Sequence, residues 1–326
     1  MQNSQTPPAW NPLEEWTDRK IDWVKVDISK EDLKRFTARS DFKGLCHAIG
    51  FLLIVIATGS FSYWAFAARH WILLIIGLYM HGIVVGHFGD ALHEMSHNTV
   101  FKSRKLGKFF ITLYGLIYWA QNPYLYKLSH LGYHHRYTLF QKSDGEDTPN
   151  YFELNAKTLL PLIFNVFHIK IMLINLARLF TLKPTSHRWR PPGSYQLDNW
   201  EKFILQRASE KDRKQVYRFA LYALIAHSAL IIVSLYFGLW FIPILITLAP
   251  LYEANIHVAY CAVPQHAGCE ANNPDFRISC GHTKLDPVSS FIYWRMEYHL
   301  EHHMFASIPC YNLKKFVYIW HPSQHT

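Results

Sequence analysis

Residues 44–89 read GLCHAIGFLLIVIATGSFSYWAFAARHWILLIIGLYMHGIVVGHFG, and only Arg69 and His70 interrupt the apolar run. No Asp, Glu, Lys or Arg occurs in 44–68 or in 71–89. A helix needs roughly 20 apolar residues to cross a bilayer core. The stretch therefore predicts two spanning helices that turn at Arg69. A second run, residues 219–260, carries a single acidic or basic side chain, Glu253. Its 42 residues suffice for another pair, turning at Phe237-Gly238-Leu239-Trp240 with Pro243 just inside the return helix. Buried helices of a soluble protein account poorly for four such segments arranged in pairs.

The expected fold is all-α and integral to a membrane. It has four transmembrane helices in two hairpins, at about 44–68, 71–92, 218–237 and 239–260. Residues 1–43 form a cytoplasmic N-terminal segment, and 44–326 form one membrane domain with a cytoplasmic helical cap. Two hairpins leave 1–43, 90–218 and 261–326 on one side. Those segments hold 8, 19 and 5 Lys plus Arg, against Arg69 alone on the other. Basic residues mark the cytoplasmic face. The net charge of +9 is then that of a face lying against anionic headgroups. No nucleic-acid partner is needed to explain it.

The first 43 residues are polar and predict no cleaved leader. NSQTPPAWNP (3–12) reads as a disordered lead-in, and Ser29 as the N-cap of a short helix. The five cysteines form no C-x-x-C pair, which argues for reduced thiols. Residues 109–120 are apolar but too short to span. Residues 158–180 are long enough but carry His168, Lys170 and Arg178. Both read as helices in the interface or under the cap. KSDGEDTPN (142–150) reads as a polar loop.

The histidines point to chemistry. WRMEYHLEHHMF (294–305) places His299, His302 and His303 within five residues. HEMSH (93–97) supplies His93 and His97, and HLGYHH (130–135) supplies His130, His134 and His135. Spacings of three and four put side chains on one helix face, and imidazole is the commonest side-chain metal ligand. Eight such ligands exceed the four that one zinc takes. They suit two metal ions with about four or five ligands each. Nitrogen donors favour iron, copper, zinc or nickel over magnesium or calcium. All three clusters reach the same side of the membrane in the two-hairpin topology. His266 or His257 is a candidate for a further ligand, and His87 for a packing role or a ligand's partner. Asp90, Glu94 and Glu301 are candidates to accept the ligands' other N–H.

Three boxes of the form H-x-x-x-H, H-x-x-x-H-H and H-x-x-H-H, interleaved with two hairpins, resemble the membrane fatty acid desaturase superfamily. The resemblance runs from about residue 44 to 320. EYHLEHHMFASIP (297–309) is similar to the family's stretch around the third box, with Ala306 where the family commonly has proline. QHAG (265–268) is similar to the segment that supplies an extra ligand, which implies His266. The resemblance implies two non-haem irons on His93, His97, His130, His134, His135, His266, His299, His302 and His303. It implies an O2-dependent oxidoreductase that inserts a double bond into an acyl, lipid or related aliphatic substrate, with hydroxylation as the alternative outcome. No H-P-G-G stretch of a fused haem domain occurs. Electrons would come from a separate cytochrome b5 or ferredoxin with its reductase. The membrane would be the endoplasmic reticulum in a eukaryote or the inner membrane in a bacterium.

A competing motif is present. HEMSH is also H-E-x-x-H, the zinc-protease signature with Glu94 as base, and NNPDF (272–276) would add Asp275 as third ligand. That reading leaves six clustered histidines without a role. A metal transporter would hold its site within the spans, not beyond them.

Overall fold

Two serines start the first helices. Ser29 accepts a hydrogen bond from the Asp32 amide and caps α1 (Lys30–Phe36), where the sequence placed it. Ser40 does the same for the Lys43 amide at the head of α2 (Asp41–Ala67). The computed structural model describes residues 11–146, 160, 163, 169–184 and 197–320, and among these it contains helices and no strand. Residues 3–10 of the expected lead-in, 147–150 of the polar loop and nearly all of 158–168 lie outside the described residues.

Helix α2 ends at a turn in which Arg69 takes the left-handed conformation (φ 57). Helix α3 (Trp71–Gly86) returns along α2 and passes through His87 into α4 (Phe88–Ser96). The third long helix comes later in the chain, after α5 (Arg104–Ile117), α6 (Pro123–Ser129), α7 (His135–Tyr137), α8 (Ile169–Phe180) and α9 (Leu197–Arg207). It is α10 (Glu210–Tyr236), and it stops where Gly238 adopts φ +71 and the Leu239 amide reaches back to the Ser234 carbonyl. The glycine ends the helix within Phe237–Trp240, where the sequence placed a turn. Asp41–Ala67, Trp71–Ser96 and Glu210–Tyr236 are long and apolar enough to cross a membrane. Their outward faces stay apolar: Ile56, Ile72, Ile75, Ile232 and Leu235 are all at least 60% exposed. Such faces are stable in lipid and costly in water.

The fourth expected span, 239–260, is not a single helix. It is broken into α11 (Phe241–Ile246), α12 (Ala249–Tyr252) and α13 (Asn255–Ala262). Pro250 has no N–H to continue a helix from above, and Glu253 leaves α12 with extended backbone (ψ 139). Broken helices are tolerated at membrane depth where protein groups satisfy the freed backbone. Here His81 Nε2 bonds the Leu245 carbonyl (3.0 Å) and Trp119 Nε1 donates to the Thr247 carbonyl (2.8 Å). The Tyr118 hydroxyl donates to Glu253 Oε2 (2.8 Å). Gly82 lets α3 lie directly against the break, since a Cβ there would sit 2.5 Å from the Tyr252 carbonyl oxygen.

The apolar stretch at 109–120 falls largely in α5, whose Phe110, Ile111 and Tyr114 enter the core. The Tyr114 hydroxyl ties α5 to α2 through the Ala48 carbonyl (2.7 Å). An N-terminal strap runs across the cap. Trp16 packs on Tyr133, Tyr137, Trp200 and Phe203, and Trp23 stacks on Phe276 at 3.9 Å. The chain closes with α14 (Phe276–Ser279), α15 (Pro287–Ile292), α16 (His299–Met304) and α17 (Cys310–Trp320).

Candidate metal centre

Every histidine box begins at a feature that sets its direction. His93 lies on α4 and His97 caps its end. The second box follows α6, which Asn122 caps and Pro123 starts. There the helix widens into a single π turn, His130–His134, closed by the His135 amide on the His130 carbonyl. A π turn repeats at five residues, not four. The widening turns His130 and His135 to one side and His134 to the other. The third box follows two consecutive left-handed residues, Trp294 (φ 55) and Arg295 (φ 61), and a short 3-10 turn into α16. Side chains with a Cβ pay for that conformation. It is locked by Arg295, whose amide bonds the Ser290 carbonyl and whose guanidinium bonds Ser290 Oγ (2.5 Å). Ser290 Oγ in turn donates to Glu297.

The result is two groups of imidazoles. His93, His97, His130, His135 and His302 form one, and His134, His266, His299 and His303 the other; within each, the candidate ligand atoms all lie within 4.8 Å of one another. All nine expected histidines are thus gathered, and each group could hold a metal ion. The boxes are shared between the groups: i, i+4 pairs stay together in His93/His97 and His299/His303, while His302 crosses to the first group. His266 belongs to a group and His257 to neither.

The hydrogen bonds fix which nitrogen faces inward. His134 Nδ1 bonds Asp144 Oδ2 (3.0 Å), and His266 Nδ1 bonds the Ser279 carbonyl (2.9 Å). His303 Nδ1 bonds Thr138 Oγ1 (3.1 Å), whose own proton goes to the His134 carbonyl (2.7 Å). These acceptors require N–H on Nδ1, so each Nε2 carries a lone pair. Yet His134 Nε2 and His303 Nε2 are 3.2 Å apart, and His266 and His303 both place Nε2 3.0 Å from His299 Nε2. His299 has one proton to share at most. Converging lone pairs without protons between them are what a cation needs. In the other group, His302 Nε2 stands 3.1 Å from His97 Nε2 and 3.2 Å from His135 Nε2. His130 gives Nδ1 to Glu146 (3.1 Å), and its Nε2 is buried with no hydrogen-bond partner. Burial, reinforced by neighbouring imidazoles, holds His130, His135, His299, His302 and His303 well below the usual histidine range. Neutral imidazole is the ligand form. The donor set fits a transition metal in each group.

The supporting acids differ from expectation. Glu94 does lie between boxes, its Oε1 3.5 Å from His93 Nδ1 and 3.4 Å from His302 Nδ1. Asp90 instead pairs with His87, and Glu301 with His282. The acids that hold imidazoles closely are Asp144 and Glu146, in the stretch read as a polar loop. Both are buried. Asp144 also accepts the Leu139 and Glu146 amides, so its carboxylate folds the loop as well as orienting a ring. Two acids flanking a glycine, some ten residues beyond the second box, were the available signal. Asp275 accepts from Arg277 and is in neither group, so the protease-like ligand set is not assembled.

A family model described as fatty acid desaturase matches residues 69–322, more than three quarters of the chain and all three boxes. No curated protein matches the chain.

Proposed function

The chain belongs to the fatty acid desaturase family, and from that premise we propose that it is an O2-dependent di-iron membrane enzyme. It introduces a double bond into an acyl chain or a related aliphatic substrate. Hydroxylation at the same carbon is the family's alternative outcome. The observation that carries the proposal is the division of nine histidines into groups of five and four. One metal cannot use them all, and a mononuclear zinc site of the H-E-x-x-H kind has no use for the second group.

Bound iron would supply, from O2 and two electrons, an oxidant strong enough for an unactivated C–H bond. The chain's own residues do the rest. The nine imidazoles would hold the pair, while Asp144, Glu146, Thr138 and the Ser279 carbonyl keep the rings of His134, His130, His303 and His266 from turning. Burial of the second group excludes water, which would otherwise intercept reactive species. The apolar helices give an aliphatic substrate a dry approach. Electrons arrive from a separate carrier, a cytochrome b5 or a ferredoxin. The basic cap, which we place on the cytoplasmic side with 1–43, would attract an acidic carrier. The membrane is the endoplasmic reticulum or the bacterial inner membrane according to the host.

Iron-replete protein should contain about two irons per chain, and cells supplying the carrier should form an unsaturated product detectable by mass spectrometry. One tightly held zinc per chain, with activity independent of iron, would remove the proposal.

A further inference from the structure

His87, which is buried, and His257, which is half-buried, lie outside both groups and are joined. His87 Nδ1 bonds Asp90 Oδ2 at 2.7 Å, and His87 Nε2 meets His257 Nδ1 at 2.8 Å. His257 Nε2 meets Ser289 Oγ at 3.0 Å. The protons can be assigned in order. A carboxylate only accepts, so His87 carries its proton on Nδ1. Its Nε2 then accepts, and His257 must donate from Nδ1. His257 Nε2 in turn accepts the Ser289 hydroxyl proton. With both rings neutral, every donor points toward Asp90. The Cys261 thiol, 3.8 Å from His257 Nδ1, is too weak a partner to reverse that order.

A chain of uniformly directed donors and acceptors is a path for protons. Each ring can take a proton on one nitrogen while it releases one from the other. The path has a location. It links the kink between α3 and α4 to α13 and the first turn of α15. Cys261 lies one turn beyond His257 on α13, and burial, then the charges of Asp90, Glu297 and Asp286, push its thiol up. Asp90 stands three residues before His93 on α4, and Glu297 two before His299. The relay therefore begins on α4, which carries the first box, and ends on α15, which precedes the third. At its other end Asp286 is exposed and caps α15 through the Ser289 amide.

We propose that Ser289, His257, His87 and Asp90 form a proton relay serving the metal centre. The proposal rests on the oxidative reading above. That chemistry has a fixed demand. Reduction of O2 to two waters uses four electrons and four protons. The two C–H bonds that become C=C supply two of each. The protein carrier supplies the other two electrons, and solvent must supply two protons. Buried imidazoles that all offer lone pairs to metal cannot release those protons themselves. A separate path through the packed cap meets the need, and histidines that bind no metal are suited to it.

The test uses His257→Ala, Ser289→Ala and Asp90→Asn in the full-length, metal-loaded protein. Each should retain the wild-type metal content, because none of these residues belongs to either imidazole group. Product formation should fall by about 100-fold in His257→Ala, the scale of a lost acid–base group. Hydrogen peroxide released per O2 consumed should rise, as reduction stalls for want of protons. Free imidazole should restore His257→Ala and do nothing for Asp90→Asn. The solvent isotope effect on O2 consumption should differ between wild type and variants. Variants that match wild type in rate, peroxide yield and isotope effect overturn the relay while leaving the oxidative reading intact. Metal loss in all three variants, without imidazole rescue, shows a structural network and also overturns it. A wild-type chain that binds metal but consumes no O2 in the presence of reduced carrier overturns the oxidative reading, and the relay falls with it.

Discussion

The two imidazole groups are built to different tolerances. In the four-membered group all four rings are buried, and three have Nδ1 held at 2.9–3.1 Å by Asp144, Ser279 or Thr138. In the five-membered group His97 and His135 are only half-buried. His130 is held by Glu146 at 3.1 Å, but His93 and His302 share Glu94 at 3.5 and 3.4 Å. Those last separations exceed the usual N–H···O length. The difference teaches how one pocket can combine a fixed metal with an adaptable one. The four-membered group is pre-organised, so a metal there has little freedom of geometry. The five-membered group has an extra donor and looser rings, so a metal held there would have more freedom to change its coordination. The partition follows from backbone: the π turn sends His134 one way and His130 and His135 the other.

The largest effect should come from removing a ligand of the rigid group. His303→Ala deletes one of four nitrogens and removes the Nδ1 that meets Thr138, which keeps its bond to the His134 carbonyl. Metal content should fall from about two to about one per chain, and product formation to below about a hundredth of wild type, beyond the cost of losing an orienting partner. His97→Ala, in the five-membered group, should keep more of the second metal, because four donors remain. Metal analysis and product assay on the same preparations decide this. Equal loss in the two variants would erase the distinction between the groups.

Asp144→Asn probes the rigidity itself. The amide keeps the volume but removes the charge that His134 Nδ1 meets at 3.0 Å. Partners of this kind are worth about 10–100-fold in metal affinity. The loss should fall on the metal of the four-membered group, seen as one of two steps in a chelator titration moving to lower chelator concentration. A shift of both steps together would mean that Asp144 acts by folding the loop, through the Leu139 and Glu146 amides it also accepts. Either way the two steps locate the effect.

Much of this site was legible in advance, for definite reasons. Histidine spacing survives any folding detail, so eight of the nine residues that the structure gathers were visible from HEMSH, HLGYHH and HLEHH, while His266 was chosen over His257 only through the resemblance of QHAG to a family segment. The division of the nine was not visible, because helical periodicity predicts that His130 and His134 share a face. A π turn reverses that, and no residue type announces one. The acids were misplaced for a related reason. Asp90 and Glu301 lie near boxes in sequence but face His87 and His282. Asp144 and Glu146 reach the site through a folded loop. The three long helices could be read because hydropathy adds along a continuous backbone. The run at 239–260 is equally apolar, but hydropathy does not register where a backbone stops. Pro250 and Glu253 were the warnings, and the partners that make the break tolerable, His81, Trp119 and Tyr118, are far away in sequence.

The smallest effect should be that of Glu94→Gln, and it is also the most discriminating. Glu94 is fully buried and belongs to the H-E-x-x-H sequence at 93–97. In a hydrolytic zinc enzyme that glutamate is the base, and its amide would abolish turnover. In the oxidative reading it is the loose partner of two rings from different boxes, at 3.4 and 3.5 Å. The amide fills the same space, and its oxygen can still face one ring. The change should therefore cost no more than about 10-fold in product formation, the low end for a ligand's partner, with two metals retained. The chelator step that moves should be that of the five-membered group, the opposite of Asp144→Asn. Complete loss of activity in Glu94→Gln alongside full activity in His303→Ala would reverse the assignment. In that case the four-membered group would be a bystander and the comparison between the two groups would have no functional content.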